Sequence, residues 1–208
     1  MKIKSITFKE DLRTIKKNTN IIFDNNITVI TGDNGSGKST IIKSIYNKTI
    51  DNSKMNNDIF TVETDISHSD IIVDLDENFK IGNTIVLDSC EGLLKHLSYF
   101  NDENMDLQVT CMKSSSGEGL LLQLANLNNI KNLSEKLLIL DEPEKGLSIK
   151  QQLKTAKYLK FLVDKYNGLQ IIVVTHSFGL LSYFNEVYST NEFKYVKSSY
   201  YLDTMFDL

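Results

Sequence analysis

Apolar positions recur along the chain in two alternating forms. Nearly continuous β-branched or leucine-rich runs stand at residues 27–32 (ITVITG), 136–141 (KLLILD) and 169–176 (LQIIVVTH). Runs of this kind suit strands buried on both faces of a parallel sheet. Residues 3–8 (IKSITF) alternate apolar with polar, and 20–23 (NIIF) are short and β-branched, so both are expected as strands. Segments of helical period lie between the runs. A helix is expected from Ser39 to about Lys48, with Ile41, Ile42 and Ile45 on one face. Residues 149–166 predict an amphipathic helix whose Ile149, Leu153, Ala156, Leu159 and Val163 face inward. Shorter helices are expected at 90–100, about 120–127 and 178–184. Residues 59–64, 71–75 and 84–88 read as further strands in an antiparallel patch, 50–58 and 101–106 as polar loops, and 186–208 as strands and turns. Buried strands alternating with helices predict an α/β fold with a mainly parallel core.

Composition narrows the class without naming a chemistry. The 208 residues are 41% hydrophobic and 24% charged, enough for one domain with a real core. No apolar run approaches the ~20 residues of a membrane span. The opening MKIKSITFKE lacks the apolar centre of a signal peptide. Cys90 and Cys111, two cysteines with no CxxC spacing, suggest neither a disulfide framework nor a zinc site, so a reduced, cytoplasmic setting is the default expectation. A net charge of −4 gives no support to nucleic-acid binding as the main task. The row Lys150, Lys154 and Lys157 reads as the solvated face of its helix, with a DNA-facing stripe as the alternative. Of the 23 basic residues only Arg13 is an arginine, so any arginine finger from this chain would be Arg13.

Candidate chemistry begins at the end of the run 27–32. Gly32-Asp33-Asn34-Gly35-Ser36-Gly37-Lys38-Ser39, followed by Thr40, fits the phosphate-loop pattern G-x-x-x-x-G-K-[ST] between an expected strand and an expected helix. Glycines let backbone N–H groups turn inward onto an anion, and the following helix N-terminus adds about half a positive charge. Lys38 would reach the β- and γ-phosphates, and the Ser39 hydroxyl would ligate Mg²⁺. Asp141 closes the run LLILD at the carboxyl end of its strand, where open α/β sheets bind ligands, and suits holding Mg²⁺. Glu142 follows where the chain turns and can point at an attacking water, and Pro143 stops the strand. His176 ends the next buried run, 34 residues after Glu142 with one helix between, so the two strands are expected close together in the sheet. A histidine there can bond the γ-phosphate. His68 and His96 lie outside any motif and read as structural or surface residues. One stretch remains unexplained by these parts: Ser114-Ser115-Ser116-Gly117-Glu118-Gly119 leads into a leucine-rich helix with more small residues than a helix cap needs.

In order and kind these four motifs resemble the Walker A, signature, Walker B and switch-histidine elements of the ATP-binding cassette (ABC) ATPases. The resemblance spans nearly the whole chain, read as one ABC-type ATPase domain over 1–208 with an insert at about 50–113 between Walker A and signature. It implies a P-loop fold with a mainly parallel sheet, a small antiparallel β patch and a reduced helical subdomain. It implies ATP and Mg²⁺ as ligands, with Lys38, Glu142 and His176 as catalytic residues and Ser39 and Asp141 as metal ligands. Ser115 takes the signature's serine position, Ser116 and Gly117 the glycine positions and Glu118 the last, while Ser114 replaces the usual leucine. In the family this element caps the γ-phosphate held by a partner subunit, so the resemblance implies a homodimer closed around ATP.

The subtype resembles soluble ATPases of the SMC/RecF kind, including small ones in phage and bacterial-defence operons. Gly146-Leu147-Ser148 stands where transporter cassettes carry a leucine–aspartate pair. The transporters' glutamine loop is also missing: the first glutamine is Gln108, seven residues before Ser115. Asp65 and Asp88 are candidates to complete the shell that glutamine would supply. This kinship implies an energy or switch subunit for a separate effector, in DNA repair or phage defence. The alternative is the nucleotide-binding subunit of a membrane transporter. Against the SMC kinship, only 77 positions separate Lys38 from Ser115, with no heptads for a coiled coil.

Overall fold

The computed structural model describes residues 2–49, 71–77, 79–81, 84–88, 116–127 and 133–205. Two sheets organise them. A three-stranded antiparallel sheet has the order β2–β1–β4, from β1 (Ile3–Phe8), β2 (Asn20–Ile22) and β4 (Ile71–Leu75). A six-stranded sheet has the order β5–β6–β7–β3–β8–β9, from β3 (Ile27–Thr31), β5 (Thr84–Asp88), β6 (Leu137–Asp141), β7 (Gln170–Val174), β8 (Glu186–Ser189) and β9 (Lys194–Lys197). All neighbours in the larger sheet are parallel except β8 and β9, which form a hairpin.

The apolar runs fold as they do because both faces of the larger sheet are covered. Leu138, Leu140, Ile171 and Val173 join one core cluster with Leu120 and Leu124 of α2 (Ser116–Asn126) and Leu159 and Leu162 of α3 (Ile149–Lys165). The alternate residues Leu137, Ile139, Ile172 and Val174 join a second cluster with Ile41, Ile42 and Ile45 of α1 (Lys38–Thr49) and with Ile3, Ile6 and Phe8 of the small sheet. Neighbouring positions on a strand point to opposite faces, so an unbroken apolar run feeds both cores. α4 (Phe178–Leu181) and α5 (Ser198–Thr204) complete the described helices.

Gln170 ties the two sheets together. Fully buried, it accepts a hydrogen bond at Oε1 from Ile3 N (2.8 Å) and donates from Nε2 to Ile3 O (3.0 Å), pairing with one strand residue as a backbone would. Gln170→Leu leaves both Ile3 groups without partners and is expected to cost about 2–4 kcal/mol, read as a lower denaturant midpoint at unchanged slope. A midpoint equal to wild type would show that the pairing is dispensable.

Several expectations are corrected. Residues 84–88 form no antiparallel patch: β5 is the parallel edge strand beside β6, whereas 71–75 joins the small sheet. Ile149 does not face inward but is 61% exposed, and Leu162 takes an inward place alongside Ala156 and Leu159. The reason is that the first turn of α3 meets a polar capping box, Ser148 with Gln151, and not the core. α2 begins at Ser116 and not near Leu120, so the small residues of the junction form the first helical turn. The helix at 178–184 is cut to one turn, and the tail contains the helix α5. The strand expected at 59–64, the helix at 90–100 and the loops at 50–58 and 101–106 lie outside the described residues, as do Cys90, Cys111, His68 and His96.

Candidate nucleotide-binding and hydrolysis site

The carboxyl ends of β3, β6 and β7 converge on one region. β7 lies between the other two, and Val174 is in register with both Ile30 and Asp141. The strand carrying Asp141 and the strand leading to His176 are therefore direct neighbours, as expected.

The loop between β3 and α1 is curled around its own lysine. Lys38, only 6% exposed, donates to Gly32 O (2.8 Å) and Asp33 O (2.7 Å). Gly32, Gly35 and Gly37 all have positive φ, which turns the loop's backbone inward. Ser39 is exposed on the first turn of α1, and Thr40 is buried behind it. The loop is braced from two sides. Asn191 Oδ1 accepts from Asp33 N (3.0 Å), and Thr190 Oγ1 donates to Thr31 O (3.0 Å) and pairs with Ser36 Oγ. A Cβ at Gly32 would collide with Thr190 Oγ1, so the close approach itself demands glycine. On the other side Thr14 donates to Gly35 O (3.2 Å). Thr14, Thr190 and Asn191 carried no sequence signal, because the first lies 21 residues and the last 158 residues from its loop partner.

Glu142 sits just past β6 in a left-handed conformation (φ 48°), with its N–H held by Val174 O (2.8 Å). A non-glycine residue in that region is uncommon and costs about 1 kcal/mol or more, and such residues cluster at functional sites. The turn aims the Glu142 carboxylate at Lys145, with which it forms an ion pair, and at His176, whose Nε2 is 3.5 Å from Glu142 Oε1. That approach is within ion-pair range but makes no hydrogen bond, and His176 Nε2 is buried without a hydrogen-bond partner. A second carboxylate holds the loop. Glu144 Oε1 accepts from His176 N (2.8 Å), and its Oε2 is buried without a hydrogen-bond partner. Glu144 stood in the motif DEPE, yet nothing in the sequence told its part from that of Glu142.

The electrostatics join these residues into one cluster. Burial holds the Lys38 ammonium below its ordinary range, against the upward pull of Glu142, Asp33, Asp141 and Glu144. Burial also lowers the His176 imidazole, helped by the Lys38 charge and opposed by Glu142 and Glu144. The neutral ring is thus favoured below its usual midpoint. In the nucleotide-free protein His176 is expected to titrate below 6.5, followed by NMR with the resonance assigned through His176→Gln. A midpoint at or above 6.5 would contradict the burial argument.

The donor set is suited to a nucleotide with its metal. A buried imidazole nitrogen without a hydrogen-bond partner, within the field of the Lys38 ammonium, suits a phosphate oxygen. Ser39 and Asp141 offer hard oxygen donors of the kind Mg²⁺ takes. Among the described residues no three His, Cys, Asp or Glu side chains cluster as a metal site. Asp88 ends β5 in register with Asp141, while Asp65 lies outside the described residues.

Of the signature stretch, Ser114 and Ser115 lie outside the described residues, and Ser116-Gly117-Glu118-Gly119 opens α2. Gly117 is buried against the turn that follows Glu142: a Cβ there would collide with the Gly146 carbonyl. The first turn of α2 and the segment 142–147 are thus packed backbone to backbone within one chain.

Comparison with known proteins agrees with this geometry. Residues 10–46, which include the phosphate loop, match the family model described as an AAA domain. The chain is 26% identical over 187 residues to the zinc import ATP-binding protein ZnuC of Acinetobacter baylyi, covering 85% of this chain and 67% of that protein. The SMC head domain from Thermotoga maritima superposes with a TM-score of 0.53 at 16% identity, covering 91% of this chain and 94% of the other. The dimeric ATP-binding cassette MJ0796, bound to ADP and Pi, superposes with a TM-score of 0.52 at 18% identity, covering 94% and 97%. With phosphate loop, acidic strand end and histidine gathered on a sheet of this topology, the chain has the fold of an ABC-type P-loop ATPase domain and carries nucleotide-site motifs similar to those of ABC ATP-binding proteins.

Proposed function

We propose that the chain binds MgATP in the loop Gly32–Thr40 and hydrolyses it, with Glu142 orienting and deprotonating the attacking water. The observation that carries this reading is the meeting of Glu142 and His176 across the ends of neighbouring strands, 3.5 Å apart and beside the Lys38 loop. Lys38 exchanges its two carbonyl partners for phosphate oxygens. The His176 Nε2, already desolvated, bonds the γ-phosphate. Ser39 and Asp141 would hold Mg²⁺, which would supply charge neutralisation at the phosphates. The chain works as one ATPase unit.

Two copies pair around nucleotide, each offering Ser115, Ser116, Gly117 and Glu118 to the other's γ-phosphate. The packing of Gly117 on Gly146 supports this, since it ties the cap offered to the partner to the hydrolytic turn of the same chain. Binding then joins the copies and loss of phosphate parts them, a cycle that drives or switches a separate effector in the cytoplasm. A role as the ATP-binding subunit of a membrane transporter is favoured by the similarity to ZnuC. Among the described residues no helix is long and apolar enough to cross a membrane, so that role would require a separate membrane subunit. Phosphate release from ATP by the purified protein, present with Mg²⁺ and lost with chelator, is the expected result. No release above a Lys38→Ala control would overturn the hydrolytic reading.

A further inference from the structure

Gln152 is the fourth residue of α3, outside every motif that the nucleotide site uses. Its amide has one donor and one acceptor end, and each is committed to a different loop. Nε2 donates to Leu147 O (2.9 Å), at the close of the turn that begins with Glu142. Oε1 accepts from Ser177 Oγ (2.6 Å), the residue after His176. Ser177 Oγ in turn accepts from Leu180 N (3.1 Å), which caps α4. α4 comes so close that a Cβ on Gly179 would stand 2.5 Å from Gln152 Oε1. On the nucleotide side the same two loops are tied once more, by His176 N donating to Glu144 Oε1 (2.8 Å).

We propose that Gln152 is a positioning residue for hydrolysis: its amide fixes the separation between the Glu142 turn and the His176 loop. The proposal rests on the hydrolytic reading above. The Glu142 turn and the His176 loop both lie outside regular strand and helix. Two hydrogen bonds from one helix-mounted side chain hold both to the same support. Displacement of about 1 Å between reacting groups can lower a rate by roughly 100-fold. Most ground-state contacts to nucleotide come from the Lys38 loop, to which Gln152 makes no hydrogen bond. Its loss therefore slows turnover and leaves binding intact.

Gln152→Met keeps length and flexibility and removes both hydrogen bonds. Turnover per nucleotide-binding site, with sites counted by ATP binding, is expected to fall about 10- to 100-fold at nearly constant KM. Gln152→Glu retains the acceptor for Ser177 but cannot donate to Leu147 O, and is expected between Met and wild type. Gly179→Ala tests the same tie without altering Gln152, since its Cβ displaces the amide, and a matching fall in turnover is expected even if Gln152→Met folds poorly. A purely structural role would instead lower the melting temperature and the number of ATP sites while leaving turnover per site unchanged. That result would overturn the proposal. Absence of turnover in the wild type would remove the hydrolytic reading and this proposal together, whereas wild-type turnover retained in Gln152→Met and Gly179→Ala would remove this proposal alone.

Discussion

Glu142→Gln is expected to lower ATP turnover by at least about 100-fold while MgATP affinity stays within a few-fold of wild type. Glutamine keeps the shape of the side chain and its reach toward water. What it loses is the capacity to take a proton and the negative charge facing His176. The backbone argues for a role specific to this position. Glu142 holds a left-handed φ of 48°, pinned by its N–H to Val174 O, and its carboxylate is turned toward His176. The same geometry lets the carboxylate reach His176 from the neighbouring strand. Steady-state phosphate release, with nucleotide affinity measured separately, distinguishes the outcomes. A turnover within a few-fold of wild type would remove Glu142 from the chemistry and leave its strain unexplained.

Lys38→Ala is expected to act at the opposite end of the cycle, weakening MgATP binding by about 100-fold or more, near 3 kcal/mol. Lys38 is nearly buried and already spends two hydrogen bonds on Gly32 O and Asp33 O. Burial disfavours its charge, and a bound phosphate would favour it. Removing it deletes the strongest attraction for phosphate. It also releases two carbonyls that would face the anion with negative partial charge. The fold should tolerate the change, since the loop remains braced by Asn191 and Thr190. Isothermal titration with MgATP measures the effect directly. Affinity equal to wild type, with the protein folded, would show that the loop does not hold nucleotide through this lysine.

The sheet and the phosphate loop were legible in the sequence because a single local rule governs each. Residues 27–32, 136–141 and 169–176 are apolar without interruption, which suits a strand covered on both sides, and all three became central strands. Edge positions were less legible. Residues 84–88 have the same composition whether they pair with β6 or with a hairpin, and only the neighbour decides. Ile149 misled because helical period fixes which residues share a face but not where the core ends. Of the site, Gly32–Ser39, Asp141, Glu142 and His176 could be read from motif and strand ends. Thr14, Glu144, Gln152, Thr190 and Asn191 could not. Each makes one or two hydrogen bonds to a loop distant in sequence or already credited to another residue, and a lone threonine or glutamine has no pattern of its own.

The account stands or falls on two copies of the chain enclosing nucleotide between them. The most direct measurement is sedimentation velocity of Glu142→Gln at saturating MgATP, where hydrolysis cannot dissolve the complex. The expected species has twice the 23.7 kDa of one chain, and it reverts to a single chain with ADP or without nucleotide. A particle whose mass is indifferent to ATP would contradict the account, and would leave the first turn of α2 as a helix start with no ligand of its own.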